Sequence, residues 1–152
     1  MPTKAPPEQI EPKSLDDYLE IMSKSVFQSG MSWQVVETKW PGIREAFLNF
    51  DAHKIADLVE PELEQLAQDT RVIRNRRKLA AIVSNAQKMI DLEKEHGTFK
   101  QYLRSHGGFD ATLKAIQRDF KFMGPSGIYH FLYVVKEEVP PHHEFEAAYK
   151  KK

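Results

Sequence analysis

The chain is expected to fold as one all-helical domain. Three observations support this. Apolar residues recur at three- and four-residue spacing along most of the sequence, helix-capping residues and glycines punctuate those stretches, and no run shows convincing two-residue alternation. With 152 residues, 41% hydrophobic content and 11% aromatics, there is material for one core but not for two domains of ordinary size.

Residues 1–13 hold four of the nine prolines and almost no apolar periodicity, and read as a flexible leader before a helical domain over 14–139 and a tail over 140–152. Ser14 is placed to cap a first helix in which Leu15, Tyr18, Leu19, Met22 and Val26 share a face, with Gly30 as its stop. Ser32 is placed to cap a second helix carrying Trp33, Val36 and Trp40, with Pro41-Gly42 as its expected end. Short helices are expected at 43–49, at 52–59 after an Asp51 cap, and at 61–68 with Pro61 in the first turn.

The longest helix is expected from Arg74 to His96, where Leu79, Ile82, Val83, Ala86, Met89 and Ile90 trace one face and Gly97 follows. Thr98 to Ser105 reads as a further short helix closed by Gly107-Gly108. Asp110 then caps a helix with Leu113, Ile116 and Phe120 inward. Residues 121–126 make a tight connection to a last helix carrying Ile128, Phe131, Leu132 and Val135, which ends before Pro140-Pro141.

Several function classes are excluded by composition. Without cysteine there is no disulfide framework, thiolate nucleophile or cysteine-bearing zinc site, and the lack suits a reducing compartment. No stretch approaches the length of a membrane span and no signal-peptide core precedes the domain, so the chain is expected to be cytoplasmic, with no membrane partner. Twenty-two basic residues balance twenty-two acidic ones, so a nucleic-acid partner must be argued from local clusters.

Two such clusters stand out. In the connection Lys121-Phe122-Met123-Gly124-Pro125-Ser126, Gly124 permits close backbone approach, Pro125 suits a first helical turn, and the free N–H groups there favour an anion. Arg71, Arg74, Arg76, Arg77 and Lys78 open the long helix and can reach a phosphate backbone over one turn. The alternative is a solvated face paired to Glu60, Glu62, Glu64 and Asp69. Trp33, after the polar stretch Gln28 to Ser32, is either ordinary core or a stacking platform for a base.

The order Gly30-Met31-Ser32-Trp33, Phe47 to Asp51, Ile73-Arg74-Asn75-Arg76 with Lys78 and Asn85-Ala86, then Phe120-Lys121-Phe122-Met123-Gly124-Pro125 with Tyr129 and Phe131, resembles the 3-methyladenine DNA glycosylase I family. The likeness runs from about Gln28 to Val139. It implies a helix-hairpin-helix glycosylase fold that binds duplex DNA as a monomer without a cofactor, and excision of alkylated purines in base repair. It assigns Trp33, Phe27 and Gln28 to the lesion pocket. Backbone contact falls to Lys121, Met123, Gly124, Pro125, Ser126, Arg74, Arg76, Arg77 and Lys78.

The chain departs from the family pattern in four places. The glutamate that the family carries eight residues before its tryptophan, in contact with the damaged base, is here Ser25, which by the resemblance takes the catalytic position and can offer a hydroxyl to the base edge. The paired glutamines are Phe27 and Gln28. Met1 to Lys13 replaces an aromatic N-terminal segment. Of the family's zinc clasp only His142, beside His143, falls near a ligand position, so no metal is expected. Three readings follow: a divergent glycosylase, a DNA-binding protein without excision, and a helical interaction module on the same scaffold.

Overall fold

The computed structural model describes residues 8–149, and among these the regular elements are all helical. Helix α1, Leu15–Gln28, buries Leu15, Tyr18, Leu19, Met22 and Val26 as its periodicity requires, and packs on the long helix and on the last helix of the hairpin. Ser14 stands at its N-cap position, but its hydroxyl makes no capping bond. The Lys13 N–H instead donates to Asp17 at 2.8 Å.

Helix α2, Trp33–Ala46, continues through Pro41, contrary to the expected break. Pro41 lies on the exposed side and removes a single backbone donor. Trp40 and Ile43 on either side of it are buried, and Trp40 is tied to α1 by an Nε1 bond of 2.8 Å to Glu20. The helix expected at 43–49 is therefore the end of α2. It is followed by Leu48, Asn49 and Phe50, all at positive φ near 60°. The stacked rings of Trp40, Phe50 and Phe47 hold this left-handed turn.

Helix α3, Ala52–Ala56, is capped by Asp51, which accepts from Lys54 N, and by Asp16 of α1, which accepts from Ala52 N at 2.8 Å. It ends three residues before the expected Val59. Helix α4, Glu60–Gln68, keeps Pro61 in its first turn. Helix α5, Arg76–His96, begins two residues later than expected because the Asn75 side chain caps it through Lys78 N, and it ends at Gly97, φ +95°. Helix α6, Phe99–Leu103, is shorter than the expected 98–105, with Thr98 as its cap.

Helices α7, Phe109–Asp119, and α8, Pro125–Val134, form the hairpin. Asp110 is not the cap of α7; Gly108 holds that position, and Asp110 lies in the first turn, where the Tyr149 hydroxyl donates to it. Under the hairpin, Tyr18, Phe99, Tyr102, Phe120 and Phe131 make a continuous aromatic layer.

The two ends of the described chain also differ from the sequence reading. Residues 1–7 of the expected leader lie outside the described residues. The part from Glu8 to Lys13 is attached to α8, with Ile10 N donating to Val134 O at 2.8 Å. Within the expected tail, His142–Tyr149 forms helix α9, anchored by buried Phe145 against Tyr129, Phe109 and Tyr149. Because aromatic packing holds α9, Phe145→Ala should destabilise the fold by about 3 kcal/mol. A chelator should leave the melting temperature unchanged. Denaturant unfolding of parent and variant, with and without chelator, checks both.

Candidate functional site

A cavity of about 420 Å³ opens between the end of α1, the loop into α2, and the hairpin turn. Trp33 stands at the first turn of α2, 44% exposed, so it is not core. Its ring meets His130 of α8 edge-on at 5.1 Å. Ser25 and Gln28, one turn apart on α1, form the opposite wall, and Gly124, Pro125 and Ser126 form the rim.

Ser25 is buried and its Oγ donates to Gly127 O at 3.2 Å. With its proton so engaged, the oxygen keeps its acceptor capacity toward the cavity. Gln28 Nε2 is buried with no hydrogen-bond partner, a donor aimed at nothing within the protein. The His130 imidazole titrates below its ordinary 6.5, chiefly because burial disfavours the charged ring and secondarily because Lys24 is near; Glu37 opposes the shift.

The walls are positioned by two buried polar side chains of α5. Lys78, 4% exposed, donates through Nζ to Phe27 O at 3.1 Å and to Ser29 O, fixing the loop after α1. Asn85, 1% exposed, accepts from Lys121 N at 2.9 Å and donates to Lys121 O at 3.2 Å, closing a two-bond clamp on the hairpin turn. Beyond the clamp Phe122 takes φ +60° and stands exposed, with the Arg77 guanidinium 5.9 Å above its ring.

Of the residues singled out from sequence, Trp33, Ser25, Gln28, Gly124, Pro125 and Ser126 meet at one cavity. Arg77 and Lys121 are exposed beside it, and Arg74 is exposed near the start of α5. Five others are placed differently. Phe27 is fully buried against Trp40 and Phe47, and therefore belongs to the core instead of the pocket. Met123 turns inward into the same core. Lys78 faces the protein interior and so cannot contact phosphate. Arg76 is paired with Glu60 and Glu64, and Arg71 with Asp69 and Glu45, which is the solvated-face alternative.

His130, Gly127 and the Asn85 clamp were not singled out from the residues as parts of the site. Asn85 and Lys78 did carry a signal, being polar positions seven residues apart inside an apolar helical stripe. His142 rests against the Tyr129 ring. Among the described residues no group of three or more His, Asp or Glu side chains could hold a metal, and no helix is long and apolar enough to cross a membrane.

Lys78→Met should leave two loop carbonyls without their donor, lowering stability by about 1–3 kcal/mol and loosening residues 28–32. Hydrogen exchange of the loop amides, beside denaturant unfolding, tests this. A second expectation concerns pH. His106, like His130, is held below the ordinary value by burial first, then by Arg118. The unfolded chain thus binds protons at these histidines near pH 6.5, where the folded chain does not, so stability falls as pH drops from about 7 toward 5. His130→Gln should flatten that slope in unfolding measured across the range.

The sequence profile of methyladenine glycosylases matches residues 12–118. DNA-3-methyladenine glycosylase 1 of Escherichia coli (strain K12) is 31% identical over 126 residues, covering 69% of this chain and 67% of that protein. The DNA-3-methyladenine glycosylase of Haemophilus influenzae is 38% identical over 78 residues, covering 51% of this chain and 42% of that protein. A crystal structure of 3-methyladenine DNA glycosylase I superposes with a TM-score of 0.71 at 28% identity, over 83% of this chain and 81% of that one. The Staphylococcus aureus 3-methyladenine DNA glycosylase I shares the fold, with a TM-score of 0.74 at 23% identity over 84% and 79% of the two chains. By the extent of the profile match and the identity to the Escherichia coli protein, this chain belongs to the methyladenine glycosylase family.

Proposed function

We propose that the chain binds duplex DNA, extrudes an alkylated purine nucleotide into the cavity and hydrolyses its N-glycosidic bond. The carrying observation is that Trp33, exposed at the head of α2, shares one cavity with the hairpin turn at Gly124 to Ser126. A flipped base stacks on the indole while the turn's backbone N–H groups hold a flanking phosphate. Arg77, Lys121 and Arg74 supply the exposed charge around this contact. On this reading the protein acts as a cytoplasmic monomer and needs no metal or other cofactor.

In the chemical step a water oxygen bonds to C1′ as the C1′–N bond breaks, with the bonding pair passing to the base. From an uncharged lesion one water proton ends on the departing base nitrogen, whereas a cationic base departs neutral and that proton passes to solvent; either way an abasic sugar with a hydroxyl is left. The chain's contribution is to hold the base out of the stack in a desolvated cavity and to hydrogen-bond its edge through Gln28 and the Ser25 oxygen.

Trp33→Ala should remove discrimination between damaged and undamaged duplex while leaving most nonspecific affinity. Gly124→Val should weaken both alike, because it disturbs the backbone contacts. Nothing in the protein lies within 4 Å of a Cβ at that position, so the fold should tolerate the change. Titrations with both duplexes, and single-turnover release of the base by the parent, decide the matter. Base release at the uncatalysed rate, with DNA still bound, would sink the excision reading.

A further inference from the structure

We propose that the pocket takes an uncharged alkylated purine in preference to a cationic one, a refinement that rests on the excision reading above. The lining contains no acidic residue: Ser25, Gln28, Trp33 and His130 supply its side-chain chemistry, with the hairpin backbone. Behind the lining stand Lys78 and the Lys24–Glu37 ion pair. Lys78 stands behind the loop wall with Nζ on the carbonyls of Phe27 and Ser29, and no carboxylate shares that site. Lys24 and Glu37, both of which act on His130, are paired with each other at 3.3 Å, so neither faces the ring as a lone charge. The His130 ring itself is uncharged near neutral pH because burial opposes its protonation. A cationic base entering this cavity meets the Lys78 ammonium behind the wall and no carboxylate on the lining.

The hydrogen-bonding chemistry has the same preference. Gln28 borders the cavity and its Nε2 is sealed off without an acceptor, a costly state that a turn of the amide toward an accepting base relieves. Alkylation at purine N3 or N7 places a positive charge on the ring and also removes the lone pair at the alkylated atom. Alkylation at an exocyclic oxygen, or bridging of N1 and N6, leaves the ring uncharged and N3 and N7 free to accept. When the glycosidic bond of such a base breaks, the pair released onto it makes the base transiently anionic before it takes up a proton. The Lys78 ammonium behind the wall then favours the negative charge that develops on the base.

The test uses one duplex sequence carrying, in turn, 1,N6-ethenoadenine, O6-methylguanine, 3-methyladenine or 7-methylguanine. Single-turnover release by the full chain is measured at pH 7.5 and divided by the uncatalysed rate for each lesion. The two uncharged lesions should show at least tenfold greater acceleration than the two cationic ones. Ser25→Glu, which installs a carboxylate on the cavity wall, should invert that order. Gln28→Leu should lower release of ethenoadenine at least tenfold. Equal or greater acceleration of the cationic lesions by the parent overturns the proposal and leaves the excision reading standing. If no lesion is released while DNA is still bound, the excision reading falls, and equilibrium affinity then decides selectivity. Preference for the ethenoadenine duplex over the 7-methylguanine duplex sustains an uncharged-base pocket, and the reverse overturns it.

Discussion

Two polar side chains on one buried stripe of α5 hold the site together. Lys78 and Asn85 are seven residues apart, two helical turns, so both project to the same side of a helix whose other buried positions include Leu79, Ile82, Ala86 and Met89. One secures the loop that follows α1, and the other secures the turn between α7 and α8. The cavity walls come from segments about a hundred residues apart in sequence, and a single rigid helix sets the distance between them. The cost of leaving a buried carbonyl or amide without a partner makes this arrangement stiff: any slip of α5 along its axis breaks bonds at both walls together. Side chains that contact no ligand therefore determine whether Trp33 and Gly124 face the same space.

The parts of the fold legible in sequence were those where periodicity and local chemistry agree. The faces of α1 and α5, the Asp51 cap and the two hairpin helices follow from apolar spacing and turn residues alone. Pro41 was misleading because a proline signal is local. The burial of Trp40 and Ile43 is tertiary, and here it prevails. Helix α9 was missed because its short apolar content, Phe145 and Tyr149, becomes meaningful only beside Phe109 and Tyr129 from the hairpin. At the site, the resemblance to a known family brought Trp33 and the glycine turn together. It could not say that Phe27 and Met123 point inward, because their side-chain directions are set by core partners far away in sequence.

Lys78 shows why charge is a poor guide to role. In a run of basic residues it has the same formal charge as its neighbours, yet it alone is buried, and its ammonium is pulled below its usual pKa by desolvation. Its methylene stem lies among the core side chains while the head satisfies two carbonyls. Nearby, the His130 ring against Trp33 gives the indole an edge-on support, so the exposed aromatic is held at one angle instead of swinging free.

The pairing of Arg71 and Arg76 with carboxylates has a consequence for how such a protein finds its target. Two guanidinium groups at and just before the head of α5 are thereby tied to carboxylates instead of a phosphate backbone, and the chain as a whole carries no net charge. On the proposed DNA-binding reading, contact with intact duplex then releases fewer counterions than the full run of basic residues would, which favours brief collisions and hopping over long one-dimensional tracking. The dwell at any position is governed less by the backbone than by whether a nucleotide is already loose enough to leave the stack. Weak grip on ordinary DNA thus becomes a filter in time, with prolonged occupancy only where a base can be captured.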